Sequence, residues 1–173
     1  MNIFLIGFMG TGKSTISAVL GKELSTEVIE MDELIVKRQG MPISQIFETR
    51  GEEYFRELET GLLVELQQRD GVIVSCGGGT PMRECNVAEM KKSGIIVLLT
   101  ARPETIFERV RYSHNRPLIE HNKTVEYIAE LLKKRREKYE AAADVTIATD
   151  GKDTREICRE IQDSVKEWEK QSC

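Results

Sequence analysis

Short apolar runs rich in β-branched residues alternate along the chain with longer stretches whose apolar residues recur every three or four positions. The runs Asn2–Ile6, Glu27–Glu30, Gly71–Cys76, Gly94–Thr100 and Asp144–Thr149 predict strands. Between them, Lys13–Leu24, Asp32–Arg38, Glu52–Gln68, Pro103–Arg111 and Lys123–Glu140 predict helices. A last helix is expected over Asp153–Lys170, where Ile157, Ile161, Val165 and Trp168 form one stripe. Asp153 with Glu156 three residues on has the spacing of an N-terminal capping box. Strand–helix alternation implies right-handed crossovers and a parallel sheet covered on both faces. The fold class expected is therefore α/β, a three-layer α/β/α domain on a five-stranded parallel sheet. No internal repeat, low-complexity tract or linker interrupts it, so residues 1–173 are read as one domain.

Composition narrows the function classes. Lys and Arg number 25 against 29 Asp and Glu, a net charge of −4, which argues against a general nucleic-acid binder but leaves room for a local basic site. No apolar run approaches the ~18 residues needed to span a bilayer, so no membrane role is expected. The apolar stretch Met1–Met9 has no Lys or Arg before it and is broken by glycine, unlike a signal peptide. Cys76, Cys85, Cys158 and Cys173 lack CxxC or zinc-ligand spacing and read as free thiols in a reducing cytoplasm. With only His114 and His121 present, a His-rich metal site is not expected. No exposed apolar helix is evident, which favours a monomer.

The strongest chemical signal follows the first strand. Gly7-Phe8-Met9-Gly10-Thr11-Gly12-Lys13-Ser14-Thr15 satisfies the pattern G-x-x-x-x-G-K-S/T at every fixed position, with a strand before it and a helix after it. Small residues let successive backbone N–H groups curl round phosphate oxygens, and the helix aims its positive end at the same anion. Lys13 is placed to bridge the β- and γ-phosphates, and the Ser14 hydroxyl to bind Mg²⁺. A guanine-reading N-K-x-D is missing, since Asn122-Lys123-Thr124-Val125 lacks the Asp, and no D-x-x-G occurs. The third strand runs through Val74-Ser75-Cys76 into glycines rather than ending in the aspartate of a motor-type ATPase.

In open α/β sheets ligands bind beyond the carboxyl ends of the strands, so the residues after each strand are candidates for the acceptor site. Strand alternation would put Glu30 and Asp32 on one side at the rim, where a carboxylate can accept a hydroxyl proton or hold magnesium-bound water. Asp32 could equally cap the following helix. Gly77-Gly78-Gly79 gives up side-chain packing, which fits close approach of a ligand to backbone or a tight turn. Phe55, Leu58, Leu62 and Leu66 form the expected core stripe of their helix, with Arg56 and Glu59 beside it, spaced for a solvated ion pair. Arg135 falls in line with Val125, Ile128, Leu132 and Tyr139 on a core-facing stripe. A guanidinium there needs an anionic partner, either a protein carboxylate or a substrate acid. Arg109, Arg111 and Arg116 crowd into eight residues before Pro117, and Arg116 reads as projecting from a mobile loop able to exclude water.

In this order and spacing, the segments resemble the shikimate kinase family, within the nucleoside-monophosphate-kinase-like group of P-loop proteins. The resemblance runs from Asn2 to about Asp150. It rests on the phosphate loop, the acidic strand end at Asp32, Gly51-Glu52-Glu53-x-Phe55-Arg56, the triplet Gly77–Gly79, Arg116-Pro117-Leu118, and Arg135 four residues before Tyr139. It implies transfer of the ATP γ-phosphate to the 3-hydroxyl of shikimate in aromatic amino-acid biosynthesis, with Mg²⁺. By family pattern, Lys13, Asp32 and Arg116 are catalytic. Gly10, Thr11, Gly12, Lys13, Ser14, Thr15, Arg109, Arg116 and Lys152 hold the nucleotide, with a lid over about 109–124. Arg56 and Arg135 clasp the shikimate carboxylate, beside Asp32 and Gly77, Gly78 and Gly79. The chain departs from the pattern at Glu30, where family members commonly carry Asp; Glu30 and Ser14 are the candidate metal contacts. Competing readings are another small-metabolite P-loop kinase, such as one resembling gluconate kinase, and a nucleotide-dependent binding module with no acceptor.

Overall fold

The computed structural model describes residues 1–112 and 124–173. Its strands are β1 (Asn2–Ile6), β2 (Val28–Glu30), β3 (Ile73–Ser75), β4 (Gly94–Thr100) and β5 (Val145–Ala148), in the order β2-β3-β1-β4-β5. All pairings are parallel, with Phe4 opposite Val74 on one side and Ile96 on the other. Alternation sorts their side chains into two cores. Phe4, Ile6, Val74, Ile96 and Leu98 enter one; Leu5, Ile73, Ile95, Val97 and Leu99 enter the other.

The helices among the described residues are α1 (Lys13–Leu24), α2 (Met31–Gln39), α3 (Ile43–Arg50), α4 (Glu52–Leu66), α5 (Glu84–Ser93), α6 (Pro103–Val110), α7 (Val125–Ala142) and α8 (Thr154–Ser172). Ile16 and Leu20 of α1 share a core with Ile157, Ile161 and Val165 of α8, whereas α2 to α7 pack on the opposite face. Handedness explains the division. The crossover from β1 to β2 runs one way along the sheet and those to β3, β4 and β5 run the other, so right-handed connections must lie on opposite faces. The chain therefore leaves β1 and β3 toward different faces, which opens a crevice at their carboxyl ends. Asn2 secures the base of β1: its side-chain amide is fully buried, donates to the carbonyl of Arg69 at 3.1 Å and accepts from the N–H of Val72 at 3.1 Å. No helix among the described residues is long and apolar enough to cross a membrane.

All five strands lie where the apolar runs predict, with β3 and β5 shorter at both ends and β2 starting one residue later, and α1 has the predicted bounds. The Asp153 cap is a full capping box: its carboxylate accepts from Glu156 N–H at 2.9 Å, and its own N–H donates to Glu156 at 2.8 Å. Two helices were not anticipated. The two-turn α3 starts after Pro42 and is too short to show a period, although Ile46 is fully buried. In α5 only Asn86 and Met90 are buried, so a polar side chain breaks the apolar stripe. A third correction concerns Asp32. The strand ends at Glu30, and Asp32 stands in the first turn of α2, with Glu30 at the N-cap position. Strand alternation therefore does not relate Glu30 to Asp32, and Asp32 is not the cap.

Candidate active site

Three glycines shape the loop after β1, with φ of 145° at Gly7, 78° at Gly10 and 97° at Gly12. Side chains are excluded there: a Cβ on Gly7 would lie 2.4 Å from the carbonyl oxygen of Leu99, and one on Gly10 2.7 Å from Val110. Thr11 is buried and its hydroxyl donates to the Phe8 carbonyl at 2.8 Å, closing the turn. Lys13, at the first position of α1, donates to the carbonyls of Gly7 at 2.6 Å and Phe8 at 2.9 Å. Its ammonium thus lies across the loop, while Ser14 and Thr15 stand exposed at the start of the helix.

Beside the loop, Ser14 Oγ lies 3.2 Å from a carboxylate oxygen of Glu30. Arg109, from α6, donates to the Gly10 carbonyl at 2.9 Å and lies 3.3 Å from the Thr149 hydroxyl after β5. Lys152, after β5, is tied to Glu160 of α8 at 2.9 Å. Asp150 links the ends of two elements, accepting from the Arg102 N–H at 3.0 Å and the Thr105 hydroxyl at 2.7 Å. Burial would raise its pKa, but these donors outweigh burial and hold it below the usual aspartate range.

The glycine triplet brings the acceptor candidates together. A Cβ on Gly77 would stand 2.9 Å from Asp32 Oδ1, and one on Gly78 3.4 Å from Arg135 Nη1. On Gly79 it would stand 2.6–2.8 Å from the Arg56 guanidinium. One carboxylate and two guanidiniums, from α2, α4 and α7, thus face three successive residues stripped of side chains. A cleft of about 870 Å³ runs from here to the phosphate loop, lined by Lys13, Ser14, Glu30, Asp32, Gly77, Gly78 and Arg109 among others.

Each arginine has a distinct support. Arg56 donates to Glu59 at 2.6 Å and to Glu52 at 3.2 Å. Burial works against its charge, but the two carboxylates outweigh it and raise its pKa further. The expected solvated pair is in fact an interior one, because Glu59 is fully buried and its other oxygen accepts from Thr80 Oγ1. Arg135 is half-buried, 5.7 Å above the Phe8 ring, and donates to the Tyr139 hydroxyl at 3.3 Å. Tyr139 in turn donates to the Gly78 carbonyl at 2.7 Å, and burial pushes its phenol pKa up. Among the described residues no Asp or Glu pairs with Arg135, which leaves its fork available for an acid from outside.

Ser17 is the candidate-site residue that sequence reasoning does not single out; Glu59 reads there only as a solvated partner of Arg56, and Tyr139 only as a core position four residues after Arg135. Glu59 carried a usable signal: it stands four residues after Phe55 and three before Leu62, so it lies on the core stripe, and a carboxylate there demands a partner. Arg116 and most of the expected lid lie outside the described residues.

Comparison with known proteins points the same way. The shikimate kinase family model matches residues 9–166. A shikimate kinase from Dehalococcoides mccartyi is 39% identical over 171 residues, covering 99% of this chain and 97% of that one. The structure of shikimate kinase from Acinetobacter baumannii in complex with shikimate superposes with a TM-score of 0.88 at 34% identity, over 93% of this chain and 90% of that one. That of shikimate kinase from Aquifex aeolicus gives a TM-score of 0.82 at 37% identity, over 96% of each chain. With a family match spanning nearly the whole sequence and full-length relatives well above 30% identity, this chain belongs to the shikimate kinase family.

Proposed function

We propose that this chain transfers the γ-phosphoryl group of ATP to the 3-hydroxyl of shikimate, giving shikimate 3-phosphate and ADP on the route to aromatic amino acids. The observation that carries the reading is the convergence of Asp32, Arg56 and Arg135 on Gly77, Gly79 and Gly78, across a cleft from the phosphate loop. A small cyclic hydroxy acid matches that set. Arg56 and Arg135 bind its carboxylate by planar, charge-assisted hydrogen bonds. Asp32 holds the 3-hydroxyl and takes its proton as the oxygen attacks. The new O–P bond forms on that oxygen while the bond from γ-phosphorus to the β–γ bridging oxygen breaks, and ADP leaves with the electron pair.

Lys13 swings from the loop carbonyls to the β- and γ-phosphates and offsets the charge that develops there. Backbone N–H groups from Gly10 to Thr15 cradle the phosphates, and Arg109 contributes at the base side of the nucleotide. Ser14 and Glu30 are hard oxygen ligands at hydrogen-bonding separation, a donor set that suits Mg²⁺ alongside phosphate and water oxygens. When bound, Mg²⁺ supplies positive charge to the β- and γ-phosphate oxygens. By resemblance, Arg116 belongs to the closing lid and Lys152 to the adenine side. All four cysteines are free thiols, which supports a cytoplasmic enzyme.

Product identification tests this reading. After incubation with ATP, Mg²⁺ and shikimate, phosphorus–proton correlation NMR is expected to show a phosphate ester coupled to the proton on carbon 3. An ester on another hydroxyl, or none, would overturn it.

A further inference from the structure

Glu30 occupies the N-cap position of α2, yet its side chain makes no capping bond there. Its carboxylate crosses instead to α1, with one oxygen 3.2 Å from Ser14 Oγ and the other 3.1 Å from Ser17 Oγ. Ser17 is fully buried beside Ile16 and Leu20, where a hydroxyl is costly unless bonded. Its second neighbour is the Ser14 carbonyl at 2.9 Å, a backbone acceptor that the helical ladder of α1 already serves. Glu30 is therefore the acceptor through which Ser17 ties α1 to another element.

We propose that Ser17 is a positioning residue for the metal site. It clamps one oxygen of Glu30, so that the other is presented to Ser14 and to a divalent cation held beside it. Glutamate is one methylene longer than aspartate and carries an additional rotatable bond, and the clamp removes the freedom that this bond brings. The inference rests on the reading of Ser14 and Glu30 as metal contacts, and it adds a residue from inside the helix that touches neither nucleotide nor acceptor. Residues that orient a ligating side chain commonly govern metal affinity without ligating themselves.

Mn²⁺ binding in the presence of ADP, read from the loss of the free Mn²⁺ electron paramagnetic resonance signal beyond the loss that the same ADP causes without protein, provides the test without turnover. Ser17→Ala is expected to weaken Mn²⁺ affinity about tenfold. Glu30→Asp withdraws the carboxylate from Ser17, so adding Ser17→Ala in that background is expected to change affinity by less than about twofold. Equal losses in both backgrounds, or no loss in the natural background, would overturn the clamp. Failure of the natural chain to bind Mn²⁺ with ADP would overturn the metal reading of Ser14 and Glu30 itself, a result distinct from the other two. Cooperative melting is checked for each variant. If Ser17→Ala does not melt cooperatively, Ser17→Cys, close to serine in volume and a weaker hydrogen-bond donor, takes its place in the cycle.

Discussion

Arg56 stands between two carboxylates of its own helix that differ sharply in surroundings. Glu59 is fully buried, whereas the Glu52 side chain is 63% exposed. Removing one partner of a buried pair strands the other, so Glu59→Ala is expected to cost about 3–5 kcal/mol in urea unfolding. Glu52→Ala is expected to fall within about 0–1 kcal/mol, as exposed pairs do. Equal costs would contradict the burial argument. Lys13→Met is expected to cut kcat at least ~100-fold with folding intact, because the departing phosphate loses a preorganised cation; near-normal turnover would remove Lys13 from the chemistry. Arg135→Lys is expected to raise the shikimate KM with little change in the ATP KM, since an ammonium lacks the planar fork. At this scale the phosphate loop was fully legible, because its chemistry is written in consecutive residues. Asp32 is legible by its position after β2 but not through strand alternation, because the strand ends at Glu30, as predicted, and the helix already begins at Met31. The Arg56–Glu59 pair is legible from its spacing, but its burial is not, because the stripe is drawn through Leu58, one position away.

Elements bring residues to the site from far apart in sequence, and the glycine triplet is where their placement can be tested. Gly79 has φ of −92°, so the backbone would accept alanine, but the new Cβ would stand within 3 Å of the Arg56 guanidinium. Gly79→Ala is therefore expected to raise the shikimate KM while ADP affinity, measured by calorimetry, stays the same. A change in ADP affinity alone would place the triplet on the wrong ligand. Asp150, joining the end of β5 to the start of α6, offers a test by pH. Its folded pKa lies below the unfolded value of about 4, so its contribution is complete above that value and is lost as pH falls through the folded pKa. Asp150→Asn is expected to lower Tm by roughly 3 °C at pH 7, and the gap should close toward pH 3. A constant gap would mean that carboxylate charge plays no part. Strong periodicity made α1 and α8 legible, and apolar runs marked all five strands. The helices α3 and α5 stayed hidden because one has only two turns and the other buries Asn86 where an apolar residue would have shown the period.

Across the whole molecule, strand order is what joins the two halves of the site. Because β1 lies between β3 and β4, the phosphate loop after β1 sits next to the glycine triplet after β3, although some seventy residues separate them in sequence. Alternation of elements foretold a parallel sheet with helices on both faces, but not which strand neighbours which. That order depends on long-range pairing, which local pattern does not encode. On the proposed function, the two halves of this site bring ATP to one acceptor, shikimate. The direct measurement is ADP release from ATP and Mg²⁺ with shikimate, gluconate or AMP supplied separately. Stimulation by shikimate alone is the predicted result. Stimulation by gluconate or AMP instead, or by no acceptor in protein that binds ATP, would contradict it.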